Sequence, residues 1–266
     1  MIEKKTPAEL KQMARQVLRG NYGICAGSLV LIGIAVMMIC FMGEIPVAIT
    51  MALSGSAGGF GMAVVASSGF MIFIIVIGLL EYIVMIGYMR LCYNICTGGE
   101  RNLGDLFFGF NHHLWKFVRL GLLFIVLPQV LNIPVTFLRI VGAAAARHFV
   151  FLSVFSIIMT ILQVVVSMYL LLNFSMAAMI LVENPEKGLM DSLKESSQIM
   201  KGNKGRMFWL WLTFLGVVLL GYGSCGIGFI WIMPYMTCTH VFFYFDITDR
   251  AVVEQKKDVE WDGVQM

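Results

Sequence analysis

Long apolar runs alternate with short charged stretches along the chain. The runs cover Ile24 to about Gly43, Gly69 to about Ile95, Phe117 to about Ile140, Phe149 to Val182, Met207 to about Tyr222, and Ile227 to Phe245. A helix needs about 20 apolar residues to cross a bilayer. None of the runs alternates with period 2, and all exceed the about 9–11 residues of a membrane strand. The pattern therefore predicts an all-α, polytopic membrane helix bundle with six spans. Residues 1–248 read as a single integral membrane domain and residues 249–266 as a polar cytosolic tail.

Between the runs lie shorter segments with a different period. In the first, about residues 7–19, Leu10, Met13, Ala14, Val17 and Leu18 share one helical face, with Lys11, Gln12, Arg15, Gln16 and Arg19 opposite. In the second, about residues 103–110, Leu103, Leu106, Phe107 and Phe110 follow i, i+3, i+4, i+7. The third, about residues 186–200, has a weaker stripe of Leu189, Leu193 and Met200. These segments predict about three amphipathic helices lying in the cytosolic interface. The first also predicts that the opening span is an uncleaved anchor, because a patterned leader of this length is unlike a signal n-region.

Composition supports the membrane reading. Of 266 residues, 59% are apolar and 13% charged, against about 45–50% and about 25% in soluble domains. Mean hydropathy is +0.85. The net charge of +3 is too small to argue for nucleic acid, but its distribution sets orientation. Seventeen of the nineteen Lys and Arg fall in the N-terminal segment, the second and fourth connections and the tail, leaving Arg139 and Arg147 opposite. The positive-inside rule then places both termini in the cytoplasm of a multi-pass cell-membrane protein.

The first and third amphipathic segments end alike, in Arg19-Gly20-Asn21 and Lys201-Gly202-Asn203, and Gly109-Phe110-Asn111 sits between them. Asn21, Asn111 and Asn203 are 90 and 92 residues apart, which fits a three-fold repeat of interfacial helix plus two-span hairpin. Gly and Asn also suit the left-handed conformation that ends a helix, with or without a repeat. The turn at Gly202 or Asn203 is expected in that conformation. The stretch from Ala143 to Asn184 lacks Gly and Pro and predicts one uninterrupted helix ending at Asn184-Pro185. The outer connection from Glu44 to Ser68 fits a flexible loop, a re-entrant segment or helix extensions joined at glycines.

Together these pieces resemble the domain-of-unknown-function 975 family, multi-pass membrane proteins mostly of Gram-positive bacteria. The resemblance rests on Arg19-Gly20-Asn21-x-Gly23, Gly87-Tyr88-x-Arg90, Asp105-Leu106-Phe107-x-Gly109-Phe110 and Glu183-Asn184-Pro185. It continues through Ser196-x-x-x-Met200-Lys201-Gly202-Asn203-Lys204-x-Arg206-x-Phe208, the Gly226 to Tyr235 stretch and Phe243-Tyr244. It covers about Thr6 to Tyr244. It implies architecture and location, and no chemistry. The layout is also faintly similar to the membrane portion of some glycerophosphodiester phosphodiesterases, whose hydrolytic domain has no counterpart here.

Glu81 is the most informative single residue, a carboxyl about twelve residues into the second span. Such a group costs about 2.5–3.5 kcal/mol on insertion scales and normally faces a bundle interior. It is expected to point inward, near Arg119, Asn132, Gln163 or Asn173. The in-span amides serve equally as interhelical glue or as a substrate path. Cys92 and Cys96 with His112 and His113 fit no usual metal spacing, and all six cysteines read as small hydrophobes. The Gly221-x-Gly223-x-x-Gly226 match has no strand before it and reads as a hairpin turn. No cofactor is implied, and no hydrolase or nucleotide-binding motif appears. Three classes of function fit. The first is a non-enzymatic scaffold or accessory subunit that binds membrane lipids or another membrane protein. The second is a small transporter or flippase-like protein using Glu81. The third, with least support, is an intramembrane enzyme.

Overall fold

The computed structural model describes residues 4–56, 60–144 and 150–248, and every regular element among them is helical. Helix α1 (Pro7–Leu18) is followed by two long helices, α2 (Tyr22–Ser56) and α3 (Phe60–Cys96). A 3-10 turn (Leu103–Phe107) and the short α4 (Phe108–Asn111) lead into α5 (Leu114–Ala144). Then come α6 (Val150–Phe174), α7 (Ala177–Glu183), α8 (Leu189–Ile199), α9 (Lys204–Leu212), α10 (Leu215–Gly223) and α11 (Phe229–Ile247).

Five stretches are long and apolar enough to cross a membrane: Tyr22–Pro46, Ile72–Cys96, Leu114–Pro134, Val154–Glu183 and Lys204–Gly223. They correspond to the first five expected spans. Helix α11, expected as a sixth, is not among them. Its nineteen residues include Thr237, Thr239, His240 and Asp246. It is instead the most enclosed long helix, with Cys238, Thr239 and Val241 to Phe245 all buried. The connection between the first two spans continues as helix to Ser56 and resumes at Phe60. Residues 57–59 lie outside the described set, as does the expected tail, 249–266.

Helix α1 starts on a reciprocal cap. The Glu9 N–H donates to Thr6 Oγ1 at 3.4 Å, and the Thr6 N–H donates to Glu9 Oε2 at 2.7 Å, with Pro7 in the first turn. The Thr6 backbone bond holds the Glu9 carboxyl below its usual range. This contribution is present above the unfolded-state value and is lost as pH falls through the folded one. The apolar face is the expected one, but it meets protein. Leu10, Ala14 and Leu18 are fully buried, and α1 lies along α11. The opposite face is also engaged. Lys11 Nζ donates to the Thr213 carbonyl at 2.9 Å and sits 4.0 Å from the Phe214 ring, and Arg15 Nε donates to Tyr235 Oη at 3.1 Å.

Helix α8 repeats this placement. Its buried positions are Ser192 and Ser196, followed by Met200. Leu189 and Leu193, expected in the stripe, are only half-buried. The reason is the neighbour: α8 lies against α6 and α7, where the chain has a break. The single helix expected from Ala143 to Asn184 is interrupted at Ser175 and Met176, and residues 145–149 of that stretch are not described. Ser196 Oγ donates to the Asn173 carbonyl at 2.9 Å and accepts from the Met176 N–H at 3.2 Å. A side chain inserted into the helical ladder is a recognised cause of a break. The fifth span divides in the same manner at Thr213 and Phe214, where Lys11 binds the Thr213 carbonyl.

The turns after α1 and α8 agree atom for atom. Gly20 has φ +86° and Gly202 φ +79°. Asn21 Nδ2 donates to the Val17 carbonyl at 2.7 Å, and Asn203 Nδ2 to the Ile199 carbonyl at 2.9 Å. The middle segment departs from this. Gly109 is helical and packs on Ile83, and the positive φ falls on His113, at 50°. Asn111 therefore does not share the turn of Asn21 and Asn203. The middle segment docks through glycines instead. A Cβ at Gly87 would overlap the Leu106 carbonyl, and one at Gly109 would lie 2.7 Å from Ile83 Cγ2.

Nothing lies within 4 Å of a Cβ built at Gly202, so only backbone strain opposes substitution. We expect Gly202→Val to lower stability by about 1–2 kcal/mol, read as a fall in melting temperature in detergent. Gly205→Ala, with equal space and an ordinary φ, should leave that temperature unchanged or raise it. Ser196→Ala should cost about 1–3 kcal/mol, because it strips partners from buried backbone groups. The same measurement checks it, with Ser197→Ala as the milder control.

Candidate functional site

Three helices meet at the end of the molecule that carries α1 and α8. From α7, Glu183 accepts from Tyr93 Oη of α3 at 3.2 Å and from Tyr244 Oη of α11 at 2.6 Å. The Tyr93 and Phe245 rings meet edge to face, 5.6 Å between centroids. Arg90, three residues before Tyr93, donates to the Val182 carbonyl at 2.5 Å and stands over the Phe108 ring at 5.1 Å. One carboxylate and one guanidinium thus tie α3, α4, α7 and α11 together.

A second polar group lies beside the first. Arg206 Nη2 donates to Asp246 Oδ2 at 2.6 Å and to the Lys5 carbonyl at 2.9 Å. The Lys5 N–H donates to Asp246 Oδ1 at 3.0 Å, and Lys4 Nζ to Asn203 Oδ1 at 2.9 Å. The Asp246 side chain is 5% exposed and that of Arg206 27%. This pair holds the N-terminal residues against α9 and α11. Asn94 Nδ2 makes the matching link from α3 to the 3-10 turn, donating to Asp105 Oδ2 at 2.7 Å.

The site residues expected from the sequence do not converge. Glu81 is exposed, and no hydrogen bond or ion pair among the described residues reaches it. The expected inward orientation is therefore incorrect. The closely packed part of α3 begins at Ile83 and continues to Cys96, and Glu81 lies just beyond it, in a groove between α2, α3 and the 3-10 turn. Arg119 is exposed on α5, and Asn132 and Gln163 are half-buried on α5 and α6. Asn173 sits at the α6–α7 break, where its carbonyl and its Oδ1 accept from Ser196 and Ser197. Of the turn residues, Arg19, Gly20 and Asn21 close α1, and Lys201, Gly202 and Asn203 close α8.

Four of the six scattered cysteines come together. Cys25, Cys92, Cys96 and Cys238 share one buried cluster, with thiol contacts from Cys92 to Cys25 and Cys238 and from Cys96 to Cys238. Among the described residues no three His, Cys, Asp or Glu side chains are placed to hold a metal ion together.

The residues that do converge include the motif positions Arg90, Asp105, Glu183, Arg206 and Tyr244, together with Tyr93, Asn94 and Asp246, which lie outside the motifs. A family model described as "Protein of unknown function (DUF975)" matches residues 1–251. The chain belongs to this family. No curated protein and no solved structure matches it. The motif residues of this DUF975 chain owe their placement to contacts between helices. Periodicity could not single them out, because Glu183 and Asp246 read as ordinary ends of apolar runs.

Removing the charge of Asp246 leaves Arg206 without its counter-ion. We expect Asp246→Asn to destabilise by about 1–3 kcal/mol, below the about 3–5 of a fully buried pair because Arg206 keeps some water. The N-terminal residues should loosen with it. Limited trypsin digestion after Lys4, Lys5 or Lys11 should speed up several-fold, while cleavage at Lys194 stays constant.

Proposed function

We propose that the chain is a non-enzymatic membrane scaffold or accessory subunit that contacts lipid or another membrane protein. The observation that carries this reading is the division of the molecule. At one end Arg90, Glu183, Arg206 and Asp246 are each engaged by partners within the chain. Away from it, the most apolar window of each candidate span is between 0% and 22% buried, leaving faces such as Met37, Phe41 and Ile158 open. Apolar faces of this extent need lipid or a partner to cover them. The transporter reading needed Glu81 in an interior path, and Glu81 faces outward.

In this reading α11 is a sixth span. Its length of roughly 28 Å matches the about 30 Å of a hydrocarbon core, and its polar residues are tolerable because protein surrounds them. The packed end then faces the cytoplasm with both termini, in agreement with the distribution of Lys and Arg. A three-fold repeat is supported by the packing order. The 3-10 turn lies on α3, α8 on α6 and α7, and α1 on α11. Each amphipathic segment thus docks on the second span of the unit before it, and the ring closes from the last unit to the first.

Cys225 tests the topology without engineering. It is exposed at the turn between α10 and α11, and the other five cysteines are buried or half-buried. A membrane-impermeant maleimide should label intact cells, and Cys225→Ser should abolish the label. Labelling only after the cells are opened would overturn the six-span arrangement. For the role itself, proteoliposomes should dissipate a proton gradient no faster than protein-free vesicles. A protein-dependent leak that Glu81→Gln removes would replace the scaffold with a transporter.

A further inference from the structure

The groove at Glu81 holds about 370 Å³, within the about 300–1,000 Å³ of sites that enclose small ligands. Its walls are Leu31 and Ala35 from α2, Ile77 and Leu80 from α3, and Leu106 and Phe107 from the 3-10 turn. The carboxyl of Glu81 is the one ionisable group in this lining. It has no hydrogen-bond partner among the described residues. Helix α3 is continuous from Phe60, and its uncharged stretch from Phe60 to Leu80 already measures roughly 30 Å, about one hydrocarbon core. A membrane placed on that stretch leaves Glu81 at its edge, six residues before Gly87, where the backbone of the 3-10 turn touches α3. The groove is therefore apolar along its length, carries one acid, and is bordered by the 3-10 turn. That turn belongs to the connection bearing Arg101, Asn102 and Asp105.

Each feature restricts the occupant. A groove of about 370 Å³ with apolar walls has room for a single hydrocarbon chain. A carboxylate surrounded by hydrocarbon has lost the water that stabilised it and needs a cation or donor in its place. An anionic headgroup would bring a second negative charge to the same spot. We propose that this groove binds a membrane lipid whose headgroup carries an ammonium. One acyl chain lies between α2 and α3, and the ammonium pairs with Glu81 beside the 3-10 turn. The inference deepens the lipid-binding part of the reading above and rests on it for the membrane setting.

The test is lipid retention by the full-length protein. Purified protein is equilibrated in micelles containing equal phosphatidylethanolamine and phosphatidylglycerol with identical acyl chains. It is then separated by gel filtration, and the bound lipid is counted by mass spectrometry. The wild type should retain about one equivalent, with the ammonium lipid enriched at least fivefold. Glu81→Gln should bring the ratio to about one, and Glu81→Lys should invert it toward phosphatidylglycerol. Ala35→Phe fills the groove with the charge intact and should lower retention of both lipids. Thermal unfolding confirms that each variant is folded, and if Glu81→Gln is not, the Ala35→Phe result decides. Equal retention of the two lipids by wild type, or a preference that survives Glu81→Gln, would overturn the proposal. So would a wild-type dimer in light scattering that Ala35→Phe dissociates, because a second copy would then own the groove. Any of these failures would leave the scaffold reading intact, since its own tests are proton flux and Cys225 labelling.

Discussion

Glu183 accepts hydrogen bonds from two tyrosines on two other helices, and the rest of the packed end is arranged around that carboxylate. In an apolar surrounding a charged group is tolerated when its partners are fixed in advance. Tyr93 and Tyr244 supply those partners from rigid positions, because α3 and α11 are buried on nearly all sides at this level. The bonds therefore set the distance between α3, α7 and α11. The cysteine cluster and the Phe242 to Phe245 run fill the space that this distance leaves. Arg90 on the Val182 carbonyl adds direction, since it fixes the end of α7 relative to α3.

The same demand for pairing explains the broken helices. A backbone N–H or carbonyl released from a helix must find another partner where water is scarce. At the α6–α7 break Ser196 provides both a donor and an acceptor, and at the α9–α10 break Lys11 provides the donor. Both come from the short helices, Ser196 from α8 and Lys11 from α1. These helices act as braces whose side chains complete the backbone bonding of the spans beside them. That is why α8 buries two serines where an apolar stripe alone would place leucines.

The element types and most of their positions were legible in the sequence. Five apolar runs reappear as candidate spans, and α1 has the buried face that its spacing predicts. The Gly20 and Gly202 turns follow from chain chemistry, because a left-handed residue favours glycine wherever it occurs. The breaks were not legible. Nothing local distinguishes Ser175-Met176 or Thr213-Phe214, since the cause is a side chain from a distant segment, Ser196 or Lys11. The inward turn expected of Glu81 failed for a related reason. Depth along a span follows from counting residues, but orientation depends on where packing ends, and α3 is closely packed only from Ile83 onward. The central polar group was visible only as motif residues without assigned roles.

The acids of this chain thus divide by what surrounds them. Glu183 and Asp246 lie where several helices overlap, and each has been given donors from other segments. Glu81 lies where α2 and α3 run on as a pair, with apolar side chains around it. The partners of the first two acids are part of the fold, so removing them should be felt as instability. Glu81 holds nothing together among the described residues, so its presence in an apolar groove does not add to the packing of the fold. In the lipid proposal the cost of placing a carboxylate there is offset by a cation from outside the chain. In a bilayer the molecules always at hand are lipids. Their headgroups supply cations where a membrane ends, which is where the lipid proposal puts the 3-10 turn and Glu81.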